Sequence, residues 1–216
     1  MKFGLIRVLT TKNKNLLDSH GLLIERHFPS LKIKSICIQD QPEGIHNRVT
    51  KNKAIPKIIE AGCRLAEEDY SGIIVSCGDD PGVIELRKIV NIPVFGAGSS
   101  AASLALSYGQ SVGTLGITLN SPLAMKEILQ NNLVGHVKPA GVATTLDLMT
   151  KGGRKNAIIA GESLREKGAE IIVFACTGFS TIDLAPDLEK TVGIPVIDAV
   201  IASGLFAWFF IKKRSP

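Results

Sequence analysis

The stretch GIIVSCGDDPG, from Gly72 to Gly82, is a short apolar run that ends in a cysteine, followed by small and acidic residues. A second stretch of the same kind, EIIVFACTGFS, extends from Glu170 to Ser180. Each is followed by a predicted helix and then by an Ile-Pro-Val run, NIPVFG in the first half of the chain and GIPVID in the second. The repetition predicts an internal duplication, with two related α/β lobes that face each other across a cleft.

Runs rich in Ile and Val alternate with longer amphipathic stretches along the whole chain, a pattern typical of β-α units around a parallel sheet. The segment Lys51–Tyr70 has helical spacing, because its apolar residues recur at steps of three and four. Two further helices are predicted at Asn15–Phe28 and Asp147–Lys167. The predicted strands are Phe3–Leu9, Leu31–Ile38, Gly72–Ser76, Ile92–Phe95, Ser111–Thr118, Gly135–Val142, Glu170–Ala175 and Ile194–Ile197.

These elements predict an α/β fold with two pseudosymmetric lobes, each a parallel sheet of roughly four strands flanked by helices, and an active site in the cleft between them. The first lobe is expected at 1–97 and the second at 98–197. A terminal helix at 198–216 is expected to pack back on the first lobe. No linker rich in Pro, Gly or Ser separates the lobes, so we expect them to pack as one unit.

Composition narrows the class of protein. The chain has 216 residues, of which 45% are hydrophobic and 21% charged, which excludes disordered, collagen-like and disulfide-scaffold proteins. Pro195 and Asp198 interrupt the apolar stretch Ile194–Ile211, which favours a buried terminal helix over a membrane span. The N-terminus does not have the pattern of a signal peptide. The four cysteines are therefore interpreted as free thiols of a cytoplasmic protein.

The net charge of +5 is interpreted as a solvated basic surface, because aromatic residues make up only 5% of the chain and no nucleic-acid-binding motif occurs. We therefore expect a small-molecule substrate, and neither a nucleic acid nor a membrane, as the binding partner. A homo-oligomer is compatible with this sequence.

Cys77 and Cys176 are the residues from which we infer the chemistry, since each follows a predicted buried strand and precedes a helix. That edge of a parallel sheet is where ligands bind. We expect backbone N–H groups and the helix dipole to lower the pKa of each thiol below about 8.5. Under a pseudo-twofold relation, the sulfurs face each other, so that one thiolate removes a proton from a stereocentre and the opposite thiol returns one.

Other residues are given structural interpretations. Cys37 and Cys63 fall on apolar faces and are assigned to the core. No metal site is predicted, because neither Cys77 nor Cys176 belongs to a C-x-x-C pair or has a histidine at ligand spacing. His46 lies in a predicted loop beside the cleft and is the histidine to test.

Two polar motifs are also interpreted as structural. Asp80 precedes Pro81, an arrangement that favours a cap of the helix that follows. The GAGSS run, Gly96–Ser100, does not contain the lysine of a P-loop and is interpreted as a tight turn into a helix.

With these motifs identified, the sequence resembles the aspartate/glutamate/hydantoin racemase superfamily over essentially the whole chain. The resemblance rests on CGDDPG at Cys77 and on ACTG around Cys176 with the later GIPVIDAV. The C-x-x-D-P pattern that ends at Pro81 is most similar to the hydantoin racemase branch, whereas amino-acid racemases usually have Asn-Thr where Gly78-Asp79 stands here. The resemblance implies no cofactor and a pair of cysteines that donate and accept protons.

The resemblance also implies a set of substrate-binding residues. The first-strand loop of the family binds polar atoms of the substrate, and the matching residues are Thr10 and Thr11, with Thr118 in the second lobe. The segment QPEGIH resembles the loop that lies over the ring in hydantoin racemases. The candidates are Thr10, Thr11, Gly44, Ile45, Gly78, Asp79, Thr118, Thr177 and Gly178.

The sequence thus predicts a cofactor-independent racemase or epimerase that acts at a carbon next to a carbonyl, with a 5-substituted hydantoin as the favoured substrate. A hydantoin is close to neutral before deprotonation, which suits a site that contains Asp79 and Asp80 and has no arginine in either cysteine motif. An aspartate/glutamate-type racemase stays open, because Arg7, Thr10 and Thr11 could bind a carboxylate. A decarboxylase, a cis–trans isomerase and a non-catalytic small-molecule binder also stay open, although a decarboxylase needs only one protonating thiol.

Overall fold

A computed structural model describes residues 1–214 of the chain, in which α-helices and β-strands alternate. The last two residues of the predicted terminal helix, 215–216, lie outside the described residues. Short 3-10 turns occur at Gln130–Asn132 and Asp147–Met149. In chain order, the elements are β1 (Lys2–Arg7), α1 (Lys14–His27), β2 (Lys32–Cys37), α2 (Arg48–Glu67), β3 (Gly72–Ser76), α3 (Val83–Ile89), β4 (Val94–Gly96), α4 (Ala97–Ala105), β5 (Val112–Leu115), α5 (Leu123–Leu129), β6 (Leu133–Val137), α6 (Lys151–Glu166), β7 (Ile171–Phe174), α7 (Gly178–Thr181), α8 (Ala185–Val192), β8 (Val196–Ile197) and α9 (Ala199–Arg214).

The strands form two four-stranded sheets with the same order, β2-β1-β3-β4 in the first and β6-β5-β7-β8 in the second. All neighbouring strands are parallel. Every residue of β3 and β7 is buried, as expected for strands that helices cover on both faces. The predicted α/β fold with two lobes of four parallel strands is confirmed. The two strands that precede the candidate cysteines hold equivalent inner positions in their sheets.

Strands β5 and β6 end before their predicted limits. Strand β5 stops at Leu115, and a side chain at the next residue, Gly116, would meet the ring of His136 at 2.7 Å. Strand β6 stops at Val137, two residues before Pro139, which cannot donate a backbone hydrogen bond to a sheet. Residues 116–122 thus form an irregular connection between β5 and α5.

The helix that follows the last strand of each sheet completes the core of the other lobe. Alanines of α4 pack with the residues of β5 and β7, including Ala101 and Ala105. In the same way, Val200 and Ala207 of α9 pack with Phe3 and other residues of the first sheet. Across residues 1–214, no helix combines the length and the apolar character that crossing a bilayer requires. The exchange of helices joins the two lobes through apolar contacts.

Candidate active site

The carboxyl ends of β3 and β7 open into one cavity of about 580 Å³. Cys77 follows the last residue of β3 directly, and Cys176 lies two residues after the end of β7. Both cysteines line this cavity, and each is 8% exposed. Because the strands of each sheet are parallel, their carboxyl ends share one edge, and the two edges meet at the cavity. The structure thus brings the two predicted cysteines to one site, one from each sheet.

The loop around Cys176 is polar but carries no acidic side chain next to the thiol. The Gly178 N–H donates to Sγ of Cys176 at 3.3 Å. Burial raises the pKa of the Cys176 thiol to about 11, although this N–H donor acts in the opposite direction. The hydroxyl of Thr177 donates to the carbonyl oxygen of Ser76 at 3.2 Å and so connects this loop to the end of β3.

The loop around Cys77 carries acidic side chains. Burial raises the pKa of the Cys77 thiol strongly, and the carboxylate of Asp79 raises it further. Oδ2 of Asp79 forms an ion pair with Nζ of Lys51 at 2.8 Å, with both side chains about a quarter exposed (26% and 28%). The expectation that helix N-termini lower both thiol pKa values is wrong, because the loss of hydration on burial outweighs the backbone N–H donors.

Asp80 is a cap, but of a different helix from the one we predicted. Its two carboxylate oxygens accept the N–H groups of Gly98 and Ser99, each at 2.7 Å, in the first turn of α4. The directly following helix, α3, begins after Gly82 without a side-chain cap. A Cβ atom at Gly96 would lie 2.2 Å from the carboxylate, so this glycine provides the space. The GAGSS run therefore begins a helix and binds the protein's own carboxylate.

Most of the candidate substrate-binding residues lie at the cavity, but two do not. Thr10 and Thr11 are not among the described residues that line it, and their role in substrate binding stays a prediction. The Thr10 hydroxyl donates to Ile38 O at 2.7 Å and accepts the Gln41 N–H at 2.8 Å, and that of Thr11 accepts the Asn13 N–H at 3.1 Å. The candidates that line the cavity are Gly44, Ile45, Gly78, Asp79, Thr118, Thr177 and Gly178.

The loop that contains Gly44 and Ile45 is held in place from within. The side-chain amide of Gln41 donates to the carbonyl oxygens of Gly44 at 3.1 Å and Thr50 at 2.9 Å. Gly44 has a φ of 68°, a left-handed conformation that favours glycine. His46 follows in the same loop and lines the cavity, and its Nδ1 is buried without a hydrogen-bond partner among the described residues.

A buried histidine that the sequence analysis did not assign to the site connects its two halves. Nδ1 of His20 lies 2.7 Å from Oγ of Ser76, and Nε2 lies 2.8 Å from Oγ1 of Thr181. Burial lowers the pKa of His20 well below its usual value, and the charge of Arg7 lowers it further. The ring is therefore neutral, with one nitrogen donating and the other accepting. The available signal was the position of His20 on the apolar face of α1, three and four residues from Leu23 and Ile24.

Arg7 is a second functional candidate, which the sequence analysis connected only with the alternative of a carboxylate substrate. It is the last residue of β1, lines the cavity and is 2% exposed. Burial lowers the pKa of its guanidinium to about 10, so that it still carries its charge at neutral pH. Within residues 1–214, no group of three or more His, Cys, Asp or Glu side chains is arranged as a metal site.

Comparison with known proteins agrees with this architecture. The family model described as Asp/Glu/Hydantoin racemase matches residues 22–203. A hydantoin racemase from a Pseudomonas species is 24% identical over 179 residues, which cover 77% of this chain and 68% of that protein. Allantoin racemase from Klebsiella pneumoniae has a TM-score of 0.85 at 19% identity, covering 99% of this chain and 88% of that chain. Allantoin racemase from Pseudomonas fluorescens has a TM-score of 0.83 at 19% identity, covering 99% and 92%. These two structural matches show a shared fold.

Proposed function

Because this chain belongs to the Asp/Glu/hydantoin racemase family, we propose that it is a cofactor-independent racemase or epimerase. In the proposed reaction, Cys77 and Cys176 act from opposite sides on a carbon next to a carbonyl. The observation that carries the proposal is that two buried cysteines, each at the end of an equivalent strand of its sheet, line one cavity.

The proposed step moves one proton on and one proton off the same carbon. The thiolate of Cys176 takes the proton of the carbon acid, and the C–H electron pair moves into the neighbouring carbonyl to form an enolate. The thiol of Cys77 then gives its proton to the opposite face of that carbon. The product leaves with inverted configuration, with Cys176 as thiol and Cys77 as thiolate. Backbone N–H groups around Gly78 and Gly178 are proposed to stabilise the enolate oxygen.

A 5-substituted hydantoin is the favoured substrate. Its C5 hydrogen is acidic because the carbon adjoins a ring carbonyl, and the ring is close to neutral before deprotonation. The names of the relatives support this choice, since both hydantoin and allantoin racemases are among them. The residues proposed to bind the substrate are Gly44, Ile45, Gly78, Asp79, Thr118, Thr177 and Gly178.

An aspartate/glutamate-type racemase is the second candidate. The observation that favours it is Arg7, whose buried guanidinium lines the cavity and could hold a carboxylate. The carboxylate of Asp79 repels an anionic substrate less strongly than an unpaired carboxylate would, because it forms an ion pair with Lys51.

A screen that resolves enantiomers tests the proposal. Single enantiomers of 5-substituted hydantoins, aspartate and glutamate are incubated with the protein in deuterated water under reducing conditions, and the spontaneous rate without protein is subtracted. We expect inversion of the hydantoins with incorporation of deuterium at C5. Inversion of aspartate or glutamate alone would favour the second candidate. Neither inversion nor deuterium incorporation with any compound would contradict the racemase proposal and favour a binding protein.

A further inference from the structure

Arg7 is buried at the cavity, and no carboxylate of residues 1–214 pairs with it. Its Nη1 donates to the carbonyl oxygens of Leu16 and, at 3.2 Å, Leu17, and to the hydroxyl of Ser19 at 3.1 Å. Among residues 1–214, the side-chain hydrogen bonds of Arg7 all come from Nη1, and no carboxylate forms an ion pair with this guanidinium. A buried charge is normally paired or fully hydrogen-bonded, because leaving it uncompensated is costly. Nε and Nη2 of the guanidinium therefore stay available to an anionic partner that enters the cavity.

The position of Arg7 connects it with the reaction centre. In the register of β1 and β3, Arg7 pairs with Ser76, and Ser76 directly precedes Cys77. Ser76 and Thr181 also line the cavity, and the neutral His20 connects their hydroxyls. The two hydroxyls and the neutral ring on this side of Arg7 are thus polar and uncharged, and they lie beside the wall that carries one of the two thiols.

The charges of the residues that line the cavity also favour an anionic ligand. The cavity is lined by the cations Arg7, Arg48 and Lys51, whereas Asp79 is the acidic side chain among the described lining residues. Lys51 and Asp79 form an ion pair with each other. The two arginines remain, one exposed at the start of α2 and one buried at the end of β1. The cavity therefore carries a net positive charge, which attracts and holds an anion.

We propose that the substrate carries an anionic group on its substituent, in its simplest form a carboxylate, and that Arg7 binds this group. The inference rests on the proposed function and narrows the hydantoins to those with an acidic substituent at C5. Nε and Nη2 lie on one edge of the guanidinium, and such an edge matches the two oxygens of a carboxylate in a bidentate pair. Arg7 acts here as a binding residue, away from the carbon that exchanges its proton.

The test compares two substrates of the same shape that differ in charge. The value of kcat/KM is measured for 5-(2-carboxyethyl)hydantoin and for its neutral isostere, 5-(2-carbamoylethyl)hydantoin, with the wild type and with Arg7→Met. We expect the wild type to prefer the carboxylate by about 10- to 100-fold, the range of a hydrogen-bonded charge pair, and Arg7→Met to abolish this preference. Arg7→Lys is expected to retain part of it, because lysine keeps the charge without the planar fork.

Using the ratio of two substrates removes the effect of partial unfolding, because both values come from one protein preparation. Arg26→Gln serves as the control for the loss of one positive charge, since Arg26 is exposed on α1 outside the cavity lining, and it should keep the wild-type ratio. A wild type that prefers the neutral isostere would overturn the inference and leave the racemase proposal intact, as would an Arg7→Met variant with an unchanged ratio.

The remaining outcomes separate the two proposals. One such outcome is that the protein inverts glutamate or aspartate but no hydantoin, and that Arg7→Met loses this activity. That result would contradict a hydantoin as the substrate and would support the binding of an anionic group by Arg7. Absence of turnover of every compound would overturn the proposed function and, with it, the substrate assigned to Arg7.

Discussion

The two sheets have the same strand order, yet the loops that follow β3 and β7 give their cysteines different electrostatic surroundings. Burial raises the pKa of both thiols. Both sulfurs also accept the N–H of the second residue after the cysteine, Asp79 or Gly178, which acts in the opposite direction. Next to Cys77, the carboxylate of Asp79 adds to the effect of burial, and no acidic side chain of the described residues does so next to Cys176. The duplicated architecture thus preserves the position of the thiol but not its acidity.

This difference sets the order in which the two thiols ionise. Cys176 loses its proton more readily, so in the state with one thiolate and one thiol we expect the thiolate on Cys176 and the proton on Cys77, whereas at neutral pH the raised pKa values keep both thiols largely protonated in the free protein. The two sulfurs influence each other, since a charge on Cys176 further raises the pKa of Cys77. The pair therefore titrates as a unit with two apparent pKa values, and a state with one thiolate and one thiol exists between them.

Removing one thiol at a time is expected to give the largest effect, and it tests most directly whether the two cysteines act on opposite faces of one carbon. Cys77→Ala and Cys176→Ala should each lose net racemisation by about 10²- to 10⁴-fold, because one general acid–base group is absent. Each variant should still exchange the C5 proton of one enantiomer for deuterium with retention, and the two variants should select opposite enantiomers. Chiral chromatography coupled to mass spectrometry measures both quantities.

Cys63→Ala is the matched control, because Cys63 is half-buried and packs at the edge of the first-lobe core outside the cavity lining. It should alter the free energy of unfolding by about 1–2 kcal/mol at most and leave the stereochemistry unchanged. Exchange of the same enantiomer by both active-site variants would be incompatible with two thiols on opposite faces.

The strands of the two parallel sheets and the two candidate cysteines could be predicted from the sequence, because both depend on local patterns. Apolar Ile and Val runs mark the buried strands, and Cys77 and Cys176 recur after two such runs. The capping of α4 by Asp80 could not be predicted in this way, since the N–H groups that Asp80 accepts are 18 and 19 residues away in the chain. The same holds for the raised thiol pKa values and for the burial of Arg7, which result from the packing of the two lobes.

The pH dependence of proton exchange in the single-cysteine variants measures the difference in acidity between the two thiols. Exchange needs the thiolate, so its rate rises with pH until the pH passes the pKa of the remaining thiol. With Cys176 alone, this limit is expected near 11, and with Cys77 alone at a higher pH, because burial and Asp79 both raise the pKa of that thiol. At any pH below both limits, the Cys77-only variant should exchange its enantiomer more slowly, by about tenfold for each unit of difference.

Asp79→Asn identifies the cause of that difference. Placed in the Cys77-only variant, it removes the neighbouring negative charge and should increase the exchange rate at saturating substrate several-fold at a fixed pH. In the Cys176-only variant, the exchange rate at saturating substrate should change little, because Asp79 is not among the groups that shift the pKa of Cys176. If the two variants had equal pH profiles and Asp79→Asn changed neither, the loops after β3 and β7 would not set the pKa values of the two thiols.

A smaller effect is expected from two buried carboxylates that cap the exchanged helices, Asp80 on α4 and Asp198 on α9. Both oxygens of Asp80 accept N–H groups of α4, from Gly98 and Ser99. On Asp198, one oxygen, Oδ1, accepts the N–H groups of Val200 and Ile201 and the hydroxyl of Ser180. An asparagine at position 198 can keep these three bonds, whereas one at position 80 must lose a bond. Urea unfolding at neutral pH should therefore show a loss of about 1–2 kcal/mol for Asp80→Asn and about 0.5 kcal/mol for Asp198→Asn.

The pH dependence of these two losses separates a charge effect from a hydrogen-bond effect. Burial raises the pKa of both carboxyls, so the native protein takes up each proton at a higher pH than the unfolded chain does. The wild type therefore gains stability relative to either asparagine variant as the pH falls through the folded pKa, and this gain is absent well above it. The difference between the two variants, in contrast, should persist at neutral pH, because it reflects the bond that only position 80 must lose. Equal losses at neutral pH would show that the number of bonds an asparagine can keep does not set the loss, and that the two lobes do not differ in how they hold the helix they exchange.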